Sequence, residues 1–318
     1  YLILAVIIKM VGVKRAMHFL PPVVTGPIII CIGLSLAPSA VSNVQTNWLL
    51  AIVAFAIIVI FNIWGKGMFK IIPILLGIAG SYAVALILHA CGITNPDGSA
   101  IFDFAAVASA SWVDIPPFQL CKFNLTAILA MAPIAVASMM EHIGDISAIS
   151  ATVGENFVED PGLHRTLIGD GLATSISALF GGPANTTYGE NTGVLELSRV
   201  HDPKVIRLAA CYAIVLSFIP KFAQIISTMP IAIVGGVSFI LYGMIAAIGV
   251  RNVVENKVDF TDSRNLIIAA TILVCGLGFS DGLTFNVAGT SITLTGLAIA
   301  AIMGVALNAI LPEKKAEA

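Results

Sequence analysis

The sequence predicts an all-α polytopic membrane protein, and three observations predict it. Hydrophobic residues make up 58% of the 318 residues, and charged residues only 11%. A soluble domain carries about 25% charged residues. The mean hydropathy is +0.98. The apolar residues fall into runs, with most Lys and Arg between the runs. The net charge of −2 carries no message about nucleic acid, because the few charges sit in those gaps. No nucleic-acid partner is expected, and the bilayer is the expected surroundings.

Eleven apolar segments are legible: 1–13, 19–40, 48–64, 71–90, 125–144, 166–181, 185–200, 205–223, 230–250, 266–279 and 287–311. Several are shorter than the ~20 residues of a perpendicular span. Short, Gly-interrupted segments mark binding sites in transporters. When the loops are numbered alternately, all but two of the sixteen Lys and Arg lie on one side. Lys122 and Lys221 are the exceptions. The positive-inside rule puts the rich side, with the C-terminus, in the cytoplasm, and predicts a multi-pass protein of the inner (plasma) membrane. The longest loop, 91–124, then lies outside. Its Asn95-Pro96-Asp97-Gly98 is a turn signal, and Trp112 and Phe118 suit an interface.

The chain is organised around Pro183-Ala184-Asn185-Thr186-Thr187-Tyr188-Gly189-Glu190-Asn191-Thr192-Gly193. This polar stretch lies between two apolar ones. Irregular backbone at membrane depth is tolerated only where protein buries it or a cavity adjoins it. The β-branched Thr186 and Thr187 predict a short extended piece, with a helix starting near Glu190. Free N–H groups at that start would face a ligand. The alternative is a surface hairpin between two helices. Glu190 would be favoured as a carboxylate by the helix dipole. Gly189 lets a ligand approach the backbone, and Tyr188 offers a ring for stacking. Asn191 fits a buttress of the break better than a ligand contact.

A second acidic group ends the fifth segment, in Met139-Met140-Glu141-His142-Ile143-Gly144-Asp145. Glu141 and Asp145 are four apart and share a helix face. An intramembrane carboxylate is costly and marks function by default. Glu141 is equally a site acid or a solvated helix-end group on spacing alone. Asp145, one turn nearer the cytoplasm, is expected to be solvated. His142 points to another face and is expected to be packed or interfacial. Asp170 and Glu196 are further intramembrane acids, with substrate contact not expected. Two carboxylates with backbone N–H and C=O suit a small planar molecule with alternating donors and acceptors, such as a nucleobase. Cys31, Cys91, Cys121, Cys211 and Cys275 lack metal spacing and are expected to be packed thiols. No Walker-type Gly-Lys-Ser/Thr run, Cys-x-x-Cys or His-Glu-x-x-His occurs. No cofactor, metal or enzymatic activity is expected. A membrane enzyme using Glu141 and Asp145 would need more His, Asp or Glu at their depth, and none is seen.

Asn185-Thr186-Thr187-Tyr188-Gly189-Glu190-Asn191-x-Gly193 resembles the signature of the nucleobase–ascorbate transporters, which include the xanthine/uracil permeases. Within that family the likeness is to bacterial uracil permeases. Glu141-His142-Ile143-Gly144, Asp160-Pro161-Gly162-Leu163-His164-Arg165, Gly236-Val237-Ser238, Leu241-Tyr242-Gly243 and Glu255-x-Lys257-Val258-Asp259 agree. The likeness runs over nearly the whole chain. Glu190, Asn191, Gly193 and Arg199 match the signature, and Ser198 stands for its Thr. Glu at the first place is uracil-permease-like, where purine and xanthine members usually have Gln. Asp145 stands where a uracil permease of the family has His.

The resemblance implies fourteen segments in two inverted repeats of seven, with a core and a gate domain and a short half-strand before a half-helix. The eleven segments would be the fourth to the fourteenth, with the N-terminal three missing. Residues 1–18 would be core (the end of the fourth segment), 19–124 gate segments and outer connector, 125–225 core with the substrate site, and 226–318 gate and C-terminal tail. It implies import of uracil or a related nucleobase by proton symport. Glu141, Tyr188, Gly189 and Glu190 would bind substrate. Glu141 and Asp145 would be the proton-coupling candidates, and Asn191 and Gly193 would support the site. A xanthine or purine permease of the same fold is the alternative; an anion carrier or a protein without transport activity ranks below it. A homodimer is among the assemblies it allows.

Overall fold

A computed structural model describes residues 1–13, 15, 21–185, 187, 188, 191, 195, 199–287 and 290–312. The chain is mostly helical, and several of its helices start at polar caps. Asn47 opens α3 (Trp48–Trp64) by accepting from Leu50 N–H, and Asn124 opens α7 (Leu125–Val153) by accepting from Ala127 N–H. Asp202 and Asp262 do the same for α9 (Pro203–Ser217) and α12 (Ser263–Gly278). Each side chain satisfies one N–H that has no partner within its helix. The remaining helices are α1 (Leu2–Val11), α2 (Pro22–Gln45), α4 (Met68–Ile71), α5 (Pro73–Ala90), α6 (Ala105–Ser109), α8 (Leu163–Leu179), α10 (Pro220–Ser227), α11 (Ile231–Glu255) and α13 (Gly296–Ile310). A π-type turn, Val158–Gly162, leads into α8.

Among the described residues, α2, α5 and α11 are long and apolar enough to cross a membrane, and the bent pair α9–α10 makes a fourth if it is one span. Helix α7 has 29 residues, about 43 Å at 1.5 Å per residue. That exceeds the ~30 Å hydrocarbon core. Outward faces are apolar: Ile3, Met10, Ile52 and Val274 are all exposed. The interiors hold small and hydroxyl side chains such as Ala54, Ala300, Ala301, Ser81 and Thr25 beside their buried Ile and Leu. Small buried residues fit helices packed in lipid, where they let backbones approach closely.

The chain forms two compact units. The first comprises Tyr1–Ser35, Phe118–Thr192 and Gly243–Ala318. Its core joins Ile8, Ile28, Ile143, Leu167 and Ile272. Thr25 accepts a hydrogen bond from Asn252 Nδ2 at 3.1 Å across α2 and α11. The second unit comprises Leu36–Pro117 and Gly193–Tyr242, with a core of Leu50, Ala54, Ile58, Ala85 and Ile233. Here the Asn95–Gly98 turn forms as expected, closed by Gly98 N–H to Asn95 O at 2.9 Å. Asn47 Nδ2 donates to Asn95 Oδ1 at 3.0 Å and ties that turn to the start of α3. The Ser99 hydroxyl and N–H beside Asp97 hold its carboxyl below its ordinary range. All five cysteines are free thiols; Cys31 is buried and Cys121 and Cys275 half-buried, but Cys91 and Cys211 are exposed, against the expectation of packing.

Three further sequence expectations change. Residues 205–223 do not form one straight segment: α9 and α10 meet at 93°. Pro220 opens α10 and lacks the N–H to continue α9. The all-α expectation fails at 283–294. There β1 (Leu283–Val287) and β2 (Thr290–Leu294) pair antiparallel, Leu283 opposite Leu294. Their β-branched residues favour a strand, and the Thr284 and Thr293 hydroxyls share a hydrogen bond of 2.8 Å. Finally, α7 does not end at Gly144 but runs on to Val153.

Arg264 locks the end of α13. Its Nε donates to Leu311 O at 3.1 Å, and its Nη2 donates to Asn308 O and Oδ1 at 2.8 and 2.9 Å. A cation at a helix C-terminus satisfies carbonyls that lack helical partners. Arg264→Ala is expected to cost about 1.5–3 kcal/mol. The measurement is the thermal unfolding midpoint of the detergent-solubilised protein, which should fall by several degrees. An unchanged midpoint would remove this lock from the fold's determinants.

Candidate functional site

The site is built on the polar face of α8. The helix stops at Gly181, whose φ of 86° suits glycine, and Gly182 N–H bonds back to Ser177 O at 2.8 Å. The chain then runs back along the helix. Ser177 Oγ donates to Pro183 O at 2.9 Å, and Thr174 Oγ1 to Asn185 O at 3.3 Å. Thr187 Oγ1 donates to Asp170 Oδ2 at 3.4 Å. Residues 177, 174 and 170 step by three and four and share one helix face. Their partners 183, 185 and 187 step by two, the period of an extended chain. Seven helical residues span about 10 Å, and four extended ones about 13 Å, so the two runs keep pace.

Helix α7 brings His142 against this face. Its Nδ1 lies 2.7 Å from Thr187 Oγ1 and 3.2 Å from Asp170 Oδ2, and its Nε2 lies 3.0 Å from Thr166 Oγ1. Thr166 Oγ1 also donates to Leu163 O at 3.0 Å. The Tyr1 ring meets the imidazole edge-on at 5.9 Å, and Tyr1 Oη shares a hydrogen bond of 2.7 Å with Ser138 Oγ. Gly171 lets α1 approach α8: a Cβ there would lie 2.8 Å from Tyr1 Cβ.

The proposed site residues are placed unevenly. Glu141 is half-buried on α7, beside His142. Asp145 is buried at 2% exposure, against the expectation that it is solvated. The reason is the continuation of α7, which puts Asp145 in mid-helix rather than at a helix end. Tyr188 is exposed at 65%, and Asn191 is exposed too. Gly189, Glu190 and Gly193 lie outside the described residues. His142 is packed as expected, at 3% exposure, but its part in joining α7, α8 and 183–188 was missed. Asp170 was passed over in the same way. Its contacts come from residues 28 and 17 positions away, which no local spacing reveals. Among the described residues no group of three or more His, Cys, Asp or Glu is arranged to hold a metal.

Comparison with known proteins gives the family. The model of the Permease family, the xanthine and uracil permeases, matches residues 1–285. A uracil permease of Bacillus caldolyticus is 40% identical over 98% of this chain and 72% of its own length. One of Bacillus subtilis is 40% identical over 100% of this chain and 74% of its own. One of Escherichia coli K12 is 34% identical over 98% and 71%. The chain belongs to the Permease family of xanthine and uracil permeases and is a multi-pass membrane transporter, not an enzyme.

Proposed function

We propose that this protein imports uracil, or a closely related nucleobase, across the plasma membrane by proton symport. The observation that carries the reading is the likeness to proteins named uracil permease along nearly the whole chain. The carboxylates give it chemistry. Glu141 and Glu190 hold the donor edge of the pyrimidine, the Tyr188 and Gly189 backbone completes its polar contacts, and Asn191 and Gly193 support the break. Residues 1–18 and 125–225 act as the core, and 19–124 and 226–318 as the gate. The basic loops and the C-terminus face the cytoplasm. The test is radiolabelled uracil uptake by the full-length protein in permease-deficient cells, with unlabelled uracil, xanthine and adenine as competitors. Saturable uptake blocked by uracil alone supports the reading. Blocking by xanthine alone would make it a purine permease.

Proton coupling is tested separately. Asp145 is buried one turn from Glu141 on α7, and a buried acid that exchanges a proton links uptake to the pH gradient. Uptake by the wild type should rise as the outside is taken from pH 8 to pH 6. Asp145→Asn, at equal expression, should flatten that rise. A retained wild-type profile would leave the coupling to Glu141.

A further inference from the structure

We propose that His142 is a positioning residue for substrate binding, fixing the segment that carries Thr187 and Tyr188 through Thr187 and Asp170. The proposal rests on the uracil reading above. The imidazole touches three hydroxyl or carboxylate groups and is buried at 3%. The Thr166 hydroxyl proton goes to Leu163 O. That hydroxyl also lies 3.0 Å from His142 Nε2. Thr166 and Asp170 are four apart on α8, so the ring is held to one helix at two heights. It cannot swing without breaking one of these contacts. Its Nδ1 side then presents a fixed partner to Thr187, at the shortest distance in the cluster, 2.7 Å. The Thr187 hydroxyl also reaches Asp170 Oδ2 at 3.4 Å. Thr187 immediately precedes Tyr188 and Gly189, whose backbone is the proposed substrate contact. The same bond joins the segment to α7 next to Glu141. A displacement of about 1 Å at a positioned group costs binding steeply.

Two amides separate this role from packing. The Asn amide reaches where Nδ1 sits, and the Gln amide reaches where Nε2 sits. His142→Asn should keep the bond to Thr187, with a KM for uracil within about threefold of wild type. His142→Gln should raise KM about tenfold or more, with maximal uptake per folded transporter moving less. Thr187→Val, which keeps shape and loses the hydroxyl, should match His142→Gln, and Thr187→Ser should restore binding. The double variant His142→Gln with Thr187→Val should be no worse than either alone, because both remove one interaction. Equal damage from Asn and Gln, or a neutral Thr187→Val, would overturn the proposal.

A second readout needs no substrate. Ala184 is exposed in the same segment, and an Ala184→Cys reporter in a background freed of the other cysteines reports its mobility by thiol-labelling rate. His142→Gln and Thr187→Val should speed labelling severalfold, and His142→Asn should not. Equal rates in all backgrounds would overturn the positioning role even if uracil is transported. If the wild type takes up no uracil yet the labelling pattern holds, the substrate reading fails and the positioning role stands.

Discussion

Glu141→Gln should lower uracil uptake about tenfold or more at low substrate, with the same amount of protein in the membrane. Glu141 is half-buried in mid-helix on α7. It adjoins His142, whose bond to Thr187 ties α7 to the segment leading to Glu190 three residues on. Glu141 is thus held beside the segment that leads toward Glu190 in the chain. The amide is isosteric but carries no charge, so it removes one charge-assisted hydrogen bond while keeping the volume. Such a bond contributes about 1.5–3 kcal/mol, which is about a tenfold to a hundredfold change in affinity. Glu190→Gln should act in the same direction by the same amount. Initial uptake rates well below the wild-type KM check both, with surface labelling to normalise for insertion. Wild-type rates from Glu141→Gln would remove that residue from the site.

The apolar runs were legible because lipid imposes a long unbroken hydrophobic stretch on each spanning helix. Segment 48–64 coincides with α3 to the residue, since Asn47 caps one end and Gly65 the other. Where the code is less direct, the reading slipped. The run over 205–223 is mostly apolar, and Pro220 marks the 93° bend. The strand β1 carries an alternation, Leu283-Thr284-Phe285-Asn286-Val287, that was passed over because it lies between two apolar runs. Asp145 looked solvated because the apolar run stops near Gly144, yet the helix continues and neighbouring elements cover it. The polar break after Gly182 was readable from its composition, while Thr186 of the β-branched pair lies outside the described residues. The histidine that holds this break was not readable, because Thr166, Asp170 and Thr187 become its neighbours only through the packing of α7 on α8.

Gly236→Ala should destabilise the folded protein, and Gly243→Ala in the same helix should not. A Cβ at Gly236 would lie 2.4 Å from Ala51 O and 3.0 and 3.1 Å from its Cα and carbonyl carbon. All three are backbone atoms of α3, so no side chain can rotate away. Helix α3 would have to retreat by about 1 Å to reach ordinary contact. It cannot retreat freely, because Leu50, Ala54 and Ile58 on it are buried in the core with Ala85 and Ile233. Overpacking of this kind costs about 1–3 kcal/mol. The better helix propensity of Ala returns at most about 1 kcal/mol. At Gly243 nothing lies within 4 Å of the added carbon, so only the propensity gain remains. The unfolding midpoint of the detergent-solubilised protein should therefore fall for Gly236→Ala and hold or rise for Gly243→Ala. Gly236→Leu, which adds a branched side chain against the same backbone, should leave no folded peak on size-exclusion chromatography. Equal midpoints for the two alanine variants would mean that α3 and α11 do not depend on close backbone approach at this crossing.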